Sequence, residues 1–483
     1  MCAPATISEK AVILSTAVCS SRWVGMRQGH WRLACGWRAL LSLMVTLCAG
    51  TLAGASGRAK PNIVVIMADD LGYADIGCYG STRNRTPHLD RLAREGMRFT
   101  DFHASGPGCS PTRAALMTGL YPQRVDIEPA LPINHPGLAV WQGLTLPGGL
   151  KRAGYVTALY GKWHLGDLPQ SHPMQHGFDD FEGHISSETD YKSHVARDGK
   201  YDWWRKTEKV PNSSYNTDVI TERAVEFIHA NAERPFFLLV AHSAIHFPWM
   251  TPMDPVYRTE GMNMLEGLRK LGPRPTQADV SDVVRQMVES LDASTGRVIE
   301  ALHERRLDDR TIVIFTSDNG GYIHYQGHHH GQISDNGIYR GQKSQVYEGG
   351  HRVPFIVSWP GRIRGGQVNN ELVLTMDLVP TLLTLAGVDH SAADFDGVDM
   401  ADLFTDNVPQ FAERCVYWRM GKGAAVRRGD WKLVRQGVER QLYNLRSDPS
   451  ESTDFGKRFP LLVSELDQIL FEWERDVASM QVR

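Results

Sequence analysis

The sequence predicts an α/β fold, in which an open sheet packs between helices and a small α+β subdomain follows toward the C-terminus. Three observations support this prediction. Four apolar runs each end in polar residues, helical patterns separate these runs, and short alternating segments replace both from about Phe404. The chain has 483 residues, of which 42% are hydrophobic and 22% are charged, so it can bury a large core and is not a disordered protein.

Residues 1–55 are predicted to be a secretory signal peptide. Four arginines from Arg22 to Arg38 precede an apolar run over residues 40–47, and Ala53-Gly54-Ala55 offers the small residues that a signal peptidase reads. An uncleaved membrane anchor and a lipoprotein signal around Cys48 are the alternatives. The apolar run is shorter than the ~20 residues that a membrane-spanning helix needs, which favours cleavage. We therefore expect a secreted or periplasmic protein with no stable membrane insertion after the signal is removed.

Charge and cysteine content narrow the functional classes. The formal net charge is −3, and the signal peptide carries mostly basic residues, so the mature chain is more negative and no nucleic-acid-binding basic domain is indicated. Seven cysteines are present, but four of them lie in the first 50 residues and no C-x-x-C pair occurs. This excludes a disulfide-dense scaffold and a multi-cysteine zinc module. Whether Cys78 and Cys415 form a disulfide is left open by the sequence.

The four apolar runs are predicted to be strands buried on both faces. They are continuously hydrophobic and rich in β-branched residues, which is typical of the interior strands of a parallel sheet. In chain order they cover residues 63–67, 155–160, 236–240 and 311–317. Ligands bind at the carboxyl ends of the strands in open α/β sheets, so the polar residues that follow these runs are expected to form the site.

Crossover helices are predicted ahead of the third and fourth strands. Residues 219–228 and 284–302 keep a three-to-four spacing of apolar side chains, as expected for helices that connect parallel strands. The Gly- and Pro-rich stretch 129–149 is expected to be a surface excursion.

The C-terminal segment shows a different pattern. Short strands are expected over residues 415–418, 424–427 and 431–434, with a final helix over about 460–477. We therefore divide the chain into the signal peptide 1–55, a main domain over 59–403 and a C-terminal subdomain over 404–483.

Two turns that follow predicted strands carry oxygen ligands. Asp69 and Asp70 follow the first strand, and Asp318 and Asn319 follow the fourth. Three carboxylates and one amide oxygen are hard donors that suit Ca²⁺ or Mg²⁺ and do not suit zinc or copper. The alternative is that these residues cap helices or turns, which isolated Asp-Asp and Asp-Asn-Gly sequences often do.

A single cysteine precedes a predicted helix. In the sequence Cys109-Ser110-Pro111-Thr112-Arg113, Ser110 suits the N-cap and Pro111 suits the first helical position, so Cys109 is expected just ahead of the helix. Backbone N–H groups and the helix dipole favour an anion at that place, and Arg113 adds a two-pronged donor for oxyanions. The alternative is a buried structural cysteine.

The run over residues 109–122 resembles the signature of the type I, formylglycine-dependent sulfatases of the alkaline-phosphatase superfamily. The similarity extends over about residues 61–445, and it includes the two metal turns, Gly161-Lys162-Trp163-His164 and the segment 343–354. It implies an alkaline-phosphatase-like, mixed and mostly parallel sheet flanked by helices. It also implies that the C-terminal α+β subdomain contains an antiparallel sheet.

The resemblance implies a modified residue and a metal cofactor. A formylglycine-generating enzyme would oxidise Cys109 to formylglycine during maturation, and the hydrated aldehyde would be the nucleophile. Asp69, Asp70, Asp318 and Asn319 would bind Ca²⁺, with Mg²⁺ as the alternative, together with the modified Cys109. The metal would lower the pKa of the nucleophile and neutralise a sulfate oxygen.

The resemblance also implies roles for basic residues. Arg113 and Lys162 would stabilise the nucleophile and the anion, while His246 and Lys343 would bind sulfate and protonate the leaving alcohol. His164 would accept the diol proton whose loss releases sulfate.

Two residues of the family pattern can each be assigned to either of two positions in this sequence. Ser187 is the best candidate for the family's substrate-binding serine, with Ser186 as the next. His246 is favoured over His242 because its His-x-Pro context is the closer match.

An insertion before the helix at residues 219–228 offers further substrate contacts. His184 and His194 are candidates to donate hydrogen bonds to sulfate or hydroxyl groups. Its other polar and aromatic residues either contact a sugar or pack the insertion onto the domain, and they are Glu188, Asp190, Tyr191, Tyr201, Trp203 and Trp204. The three histidines at 328–330 are expected in a solvated loop, with lining of the cleft as the alternative.

The sequence therefore predicts an exported sulfuric ester hydrolase that removes sulfate from a sulfated carbohydrate. A phosphate or phosphonate ester hydrolase of the same superfamily is the alternative within the enzymes. A non-catalytic carbohydrate-binding relative would lack the cysteine, a metal carboxylate or a Lys/His pair, and none of these is missing.

Overall fold

The computed structural model describes residues 60–270, 277–324, 333–404 and 412–480. Within these ranges the strands are β1 (Asn62–Ala68), β2 (Met97–Phe99), β3 (Phe102–His103), β4 (Val156–Lys162), β5 (Asp180–His184), β6 (Trp204–Arg205), β7 (Glu208–Lys209), β8 (Phe236–Ala241), β9 (Thr311–Ser317), β10 (Phe355–Ser358), β11 (Gln367–Asn369), β12 (Val373–Leu374), β13 (Cys415–Met420), β14 (Gly423–Arg428), β15 (Trp431–Gln436) and β16 (Glu439–Asn444). The helices are α1 (Pro87–Glu95), α2 (Cys109–Thr118), α3 (Leu146–Arg152), α4 (Asn216–Ala230), α5 (Met264–Lys270), α6 (Gln277–Glu304), α7 (Glu348–His351), α8 (Leu378–Leu385) and α9 (Pro460–Met480).

A mixed sheet organises the main domain. Its strand order in the described residues is β11-β2-β10-β9-β1-β8-β4-β5-β6-β7. The central strands β9, β1, β8, β4 and β5 are parallel, whereas β10 runs antiparallel to both β9 and β2. All four predicted strands lie in this parallel centre, so their carboxyl ends share one edge. The predicted mixed and mostly parallel sheet is confirmed.

Alternate residues of β1 supply two separate cores. Ile63 and Val65 face a core that includes side chains of α2, α3 and α8, and Val64 and Ile66 face a core that includes side chains of α1, α4 and α6. All four side chains are fully buried. Burial on both faces explains why the strand is continuously apolar rather than alternating. The two predicted crossover helices correspond to α4 and α6.

The C-terminal subdomain is a four-stranded antiparallel sheet with one long helix. Its strands are paired in the order β13-β14-β15-β16, and α9 packs on them. Trp418, Leu433 and Leu470 form its core, which also includes Ala115 of α2 and Tyr121. The predicted α+β subdomain is therefore confirmed, and its core reaches the helix that begins at Cys109.

The structure corrects one expectation, answers one question that the sequence left open, and does not describe the predicted signal peptide. The stretch 129–149 is not simply a surface excursion, because Leu131, Leu138 and Leu146 are buried in the core beside α2. Cys78 and Cys415 are both free thiols, so they do not pair. The predicted signal peptide lies outside the described residues, and among the described helices none is both long enough and apolar enough to cross a membrane.

Candidate active site

Cys109 is the first residue of α2, and it lies at the sheet edge where the parallel strands end. The helix begins earlier than the sequence predicted, because Gly108 with its extended backbone is the N-cap. Ser110 lies inside the first turn, and its hydroxyl group accepts a hydrogen bond from the Leu131 N–H at 3.0 Å instead of capping the helix. Cys109 is only 2% exposed, and burial raises the pKa of its thiol.

The His164 side chain contacts the Cys109 sulfur. Its Nδ1 lies 3.1 Å from Cys109 Sγ, and its Nε2 lies 3.2 Å from the Leu131 carbonyl oxygen. Because Nε2–H donates to that carbonyl, Nδ1 is the acceptor in the neutral ring. Burial lowers the pKa of His164 well below its usual range, so the neutral form is favoured. The ring can therefore take a proton from the group at position 109.

Four oxygen-bearing side chains meet where β1 and β9 end. Ala68 pairs with Ser317 in the sheet, and this register brings Asp69 and Asp70 beside Asp318 and Asn319. The Asp70 N–H donates to Asp318 Oδ1 at 3.3 Å, and Asn319 Nδ2 donates to Asp70 Oδ1 at 2.9 Å. Asp69 Oδ1 and Asn319 Oδ1 are buried without a hydrogen-bond partner among the described residues. Two unpartnered buried oxygens beside carboxylates fit a divalent cation with hard oxygen ligands.

Each of the three carboxylates is also paired with a buried cation. Arg113 donates from Nε and a terminal nitrogen to Asp318 Oδ2 at 3.0 and 2.8 Å. The Lys162 ammonium lies 2.5 Å from Asp69 Oδ2, and the Lys343 ammonium lies 2.5 Å from Asp70 Oδ1. The charges of the six side chains cancel, so a bound divalent cation would leave the cluster positive and attractive to an anion.

The carboxylate pKa values reflect this crowding of charges. Burial alone would raise the pKa of Asp69, but Lys162 and the other nearby cations hold it well below its usual range. Burial and the charge of Asp69 raise the pKa of Asp318 to about 6. A cation between the two carboxylates would relieve this repulsion and keep both ionised.

Gly161 explains how Lys162 reaches the cluster. Its φ of +112° lies in the region that favours glycine, and a Cβ atom there would lie 2.0 Å from the Ala241 carbonyl oxygen. Only glycine allows β4 to approach β8 so closely at this point. Arg113 also donates to the Lys162 carbonyl oxygen at 2.9 Å, which ties α2 to the same strand.

His246 belongs to the cluster and His242 does not. His246 Nδ1 lies 2.6 Å from the Phe247 carbonyl oxygen, and its Nε2 lies 3.8 Å from Asp70 Oδ2. Burial lowers the pKa of His246. In contrast, His242 Nε2 lies 2.9 Å from the Ser294 hydroxyl group on α6, so the structure favours His246 as the site residue.

The predicted substrate contacts are only partly brought to the site. His184 ends β5 next to the cluster, but its two ring nitrogens bind the Ser243 hydroxyl group and the Ser186 carbonyl oxygen. His194 is fully buried and packs on Trp203 with 4.2 Å between ring centres, so the structure does not bring it to the site. Ser186 and Ser187 are both partly exposed just beyond β5.

Two contributions to the site were not predicted from the sequence. Tyr322 places its ring 5.2 Å from the Lys343 ammonium, and the carbonyl of Leu131 orients His164. Tyr322 follows Asn319 by three residues, so its proximity in the chain was a usable signal. No side-chain pattern identifies the Leu131 carbonyl, because it is a backbone group in a stretch expected to be exposed.

A second group of potential metal ligands does not fit a metal ion. His103, Glu348 and His351 offer ligand atoms within 4.8 Å of one another, and all three are buried. The Lys432 ammonium lies 2.8 Å from Glu348 Oε1 and 3.2 Å from His351 Nε2. This ammonium already supplies the positive charge at the position that a cation would take.

Comparisons with known proteins agree with this geometry. A family model described as Sulfatase matches residues 61–388, and one described as N-sulphoglucosamine sulphohydrolase, C-terminal, matches residues 337–470. The chain is 35% identical over 440 residues to the N-acetylgalactosamine-6-sulfatase of Canis lupus familiaris, and the alignment covers 84% of this chain and 79% of that protein. It is 35% identical over 388 residues to arylsulfatase A of Homo sapiens, and the alignment covers 75% of this chain and 70% of that protein. The crystal structure of Ps i-CgsB in complex with k-i-k-neocarrahexaose matches with a TM-score of 0.74 and 30% identity over 86% of this chain and 92% of that one.

Proposed function

This chain belongs to the sulfatase family, whose members hydrolyse sulfuric esters, and we propose that it removes sulfate from a sulfated carbohydrate through a formylglycine made from Cys109. Two of its relatives support a carbohydrate substrate. One is an N-acetylgalactosamine-6-sulfatase, and another was solved with a neocarrahexaose.

The position of Cys109 is the observation on which the proposal depends. The residue begins α2, touches His164 and has a raised thiol pKa. A cysteine that acts as a thiolate needs a lowered pKa, so an unmodified Cys109 is poorly suited to attack. A hydrated aldehyde at the same place would supply one hydroxyl group that attacks sulfur and a second whose deprotonation expels sulfate.

Asp69, Asp70, Asp318 and Asn319 would hold a divalent cation, for which Ca²⁺ is our first choice and Mg²⁺ the alternative. The unpartnered oxygens of Asp69 and Asn319 support this assignment. When bound, the cation would lower the pKa of the attacking hydroxyl group and offset charge on the sulfate.

The remaining side chains would move protons and bind the anion. His164 Nδ1 would accept the proton whose loss releases sulfate, because Nε2 is committed to the Leu131 carbonyl. His246 Nδ1 is committed to the Phe247 carbonyl oxygen, and Nε2 lies 3.8 Å from Asp70 Oδ2, so the Nε2–H of the protonated ring would donate to the leaving alcohol oxygen. Lys162 and Lys343 would donate to sulfate oxygens, and Arg113 would hold Asp318 and the start of α2 in place.

Maturation and location are part of the proposal. A formylglycine-generating enzyme would act on Cys109, and the signal peptide over residues 1–55 would direct the chain to the periplasm or the exterior. Determination of the N-terminal residue of the exported protein tests the second statement.

Mass spectrometry combined with sulfate-release assays tests the proposed function. The tryptic peptide 99–113 should contain an aldehyde or its hydrate at position 109 in active protein. Cys109→Ala should lower sulfate release by about a thousandfold or more without loss of folding, because the nucleophile is gone. Cys415→Ala removes a partly exposed thiol of the C-terminal sheet and serves as the matched control, with unchanged activity. An unmodified Cys109 in fully active protein, or faster turnover of phosphate esters than of sulfate esters, would contradict the proposal.

A further inference from the structure

A cavity of about 180 Å³ lies beside the candidate active site, and none of the catalytic or metal-binding roles proposed above involves its lining residues. Several residues that line it belong to the chain segments around His164 and its hydrogen-bond partners. The His164 N–H donates to the Ile185 carbonyl oxygen at 3.1 Å, and Ile185 lines the cavity. Asp167, three residues after His164, and Asn134, three residues after Leu131, also line it. Three residues span at most about 11 Å, so the cavity lies close enough to be reached by the neighbouring ring of a bound oligosaccharide.

Two aromatic rings in this cavity are held in fixed orientations. The Trp204 indole N–H donates to Asp202 Oδ1 at 2.6 Å, and the Lys209 ammonium lies 5.1 Å from the centre of the indole. The Tyr201 hydroxyl group donates to the Val210 carbonyl oxygen at 2.8 Å. Rings that are already ordered lose little conformational entropy when a ligand packs on them. In contrast, Trp203 is fully buried, so only the second of the paired tryptophans is available to a ligand.

One carboxylate of the cavity has an oxygen without a donor. Asp167 Oδ2 accepts a hydrogen bond from the Asn134 N–H at 2.7 Å, whereas Oδ1 has no partner among the residues that the structure describes. A buried carboxylate oxygen is costly to leave unsatisfied. A ligand hydroxyl group would supply the missing donor.

The charge of the lining disfavours an anionic ligand. Three carboxylates, Asp167, Asp198 and Asp202, face the cavity with two lysines. Lys200 pairs with Asp198 at 3.1 Å, and Lys209 donates to the Tyr201 carbonyl oxygen at 2.6 Å. The surplus of carboxylates would repel a second sulfate or a uronate, but it accepts hydrogen bonds from hydroxyl groups.

We propose that this cavity is a subsite for an uncharged sugar ring, adjacent in the substrate to the ring whose sulfate lies at Cys109. The inference rests on the proposed function and narrows it. The substrate is an oligosaccharide in which a sulfated ring is linked to a neutral one, rather than a chain with an anionic group on every ring.

The test compares substrates with and without a second ring. Suitable probes are 4-nitrophenyl sulfate, N-acetylgalactosamine 6-sulfate, and the same sulfated sugar linked to galactose or to glucuronate. Trp204→Ala and Asp167→Asn should each lower kcat/KM for the galactose-linked probe by about tenfold, mainly through KM, because they remove contacts to the second ring. Turnover of 4-nitrophenyl sulfate and of the single sugar should stay unchanged.

A tryptophan from a different cavity provides the control. Trp141 is also half-buried and lines a cavity with Thr118, at the far end of α2 from Cys109. The helix has 10 residues, so the two ends lie about 15 Å apart. Trp141→Ala should leave kcat/KM unchanged for all four probes.

Two results would overturn the subsite. One is an equal loss of kcat/KM on all probes in Trp204→Ala, and the other is a preference of the wild type for the glucuronate-linked probe. Wild-type protein that releases sulfate from no probe would contradict the proposed function instead. In that case calorimetric titration of the galactose-linked probe still decides the subsite, because wild type should bind it and Trp204→Ala should bind it about tenfold more weakly.

Discussion

The Tyr191 hydroxyl group holds the loop that carries His246. Its single proton is shared between two acceptors, the Ser243 carbonyl oxygen at 2.6 Å and the His246 carbonyl oxygen at 3.0 Å. Tyr191 itself is buried and stacks on Tyr215 with 5.5 Å between ring centres. The sequence suggested Tyr191 as a substrate contact or a packing residue, and the structure makes it a positioning residue.

Tyr191→Phe should lower kcat several-fold and lower the free energy of unfolding by about 1–2 kcal/mol, because two buried carbonyl groups lose a donor. Steady-state kinetics and chemical denaturation measure the two effects. Tyr215→Phe is the matched control, since that hydroxyl group donates to the Met250 carbonyl oxygen at 2.8 Å away from His246. It should lose similar stability with unchanged kcat. Equal kcat values for the two variants would show that Tyr191 is structural only.

Ten site residues that the sequence identified come together in one cluster of hydrogen bonds and ion pairs. They are Asp69, Asp70, Cys109, Arg113, Lys162, His164, His246, Asp318, Asn319 and Lys343. Their positions were predictable because each follows a buried strand or belongs to a recognisable motif. The pairing between them was not, because it depends on which strands are neighbours. His194 lies elsewhere because an irregular segment has no periodicity to show which side chains face inward.

At the scale of elements, α7 links the main domain to the C-terminal sheet. Glu348 begins this helix, and its carboxylate binds the Lys432 ammonium of β15 and Arg352. Glu451 also pairs with Lys432 at 2.9 Å, and its carboxylate accepts the Glu348 N–H. Glu348, Lys432 and Glu451 are fully buried, so this network stabilises the position of α7, five residues after Lys343.

Lys432→Met should lower the free energy of unfolding by about 3–5 kcal/mol, because it leaves two buried carboxylates without their shared cation. Chemical denaturation measures the change. Lys422→Met replaces an exposed lysine at the turn between β13 and β14 and should be nearly neutral. Equal stability of both variants would mean that the buried network contributes nothing net.

The elements that the sequence predicted well are those with one strong signal. The central strands are apolar throughout because both faces are buried, and α4 and α6 keep a clear helical period. The sequence did not predict nine strands, β2, β3, β5, β6, β7, β10, β11, β12 and β16. Most of them are short and lie toward the sheet edges, where neighbours rather than propensity determine pairing. The prediction that the stretch 129–149 is a surface excursion was wrong, because its glycines and prolines suggest a surface loop, whereas its leucines fill the core.

At the scale of the whole molecule, one charge cluster joins the sheet, α2 and the loop that carries Lys343. Its three carboxylates are balanced by three side-chain cations, so the fold does not need a metal ion for neutrality. The metal is therefore expected to matter more for activity than for folding.

Chelation should abolish sulfate release, and added Ca²⁺ should restore it. The Tm should fall only modestly, by the mass action of losing a bound ligand. Activity assays and thermal unfolding with and without chelator measure both effects. Asp69→Asn should lose the rise in Tm that Ca²⁺ produces, whereas the exposed Asp309→Asn should keep it. Full activity in excess chelator would contradict the metal assignment.

The overall architecture was predictable because the periodicity of apolar residues changes from interior strands and helices to alternating strands near residue 404. The strand order was not, because it depends on contacts between segments far apart in the chain. β1, for example, lies between β8 and β9, which follow it by more than 150 residues.

The burial of Cys109 sets an order of events in the life of the protein. Cys109 is 2% exposed and the C-terminal core packs against α2, so the side chain is inaccessible to a modifying enzyme in the folded protein. If Cys109 is oxidised as we propose, the oxidation must come while the segment is still extended. In a chain that folds before this oxidation, Cys109 would remain a thiol and the protein would be inactive. The fraction of active protein would then depend on the rate of oxidation relative to the rate of folding, and slower folding would raise that fraction.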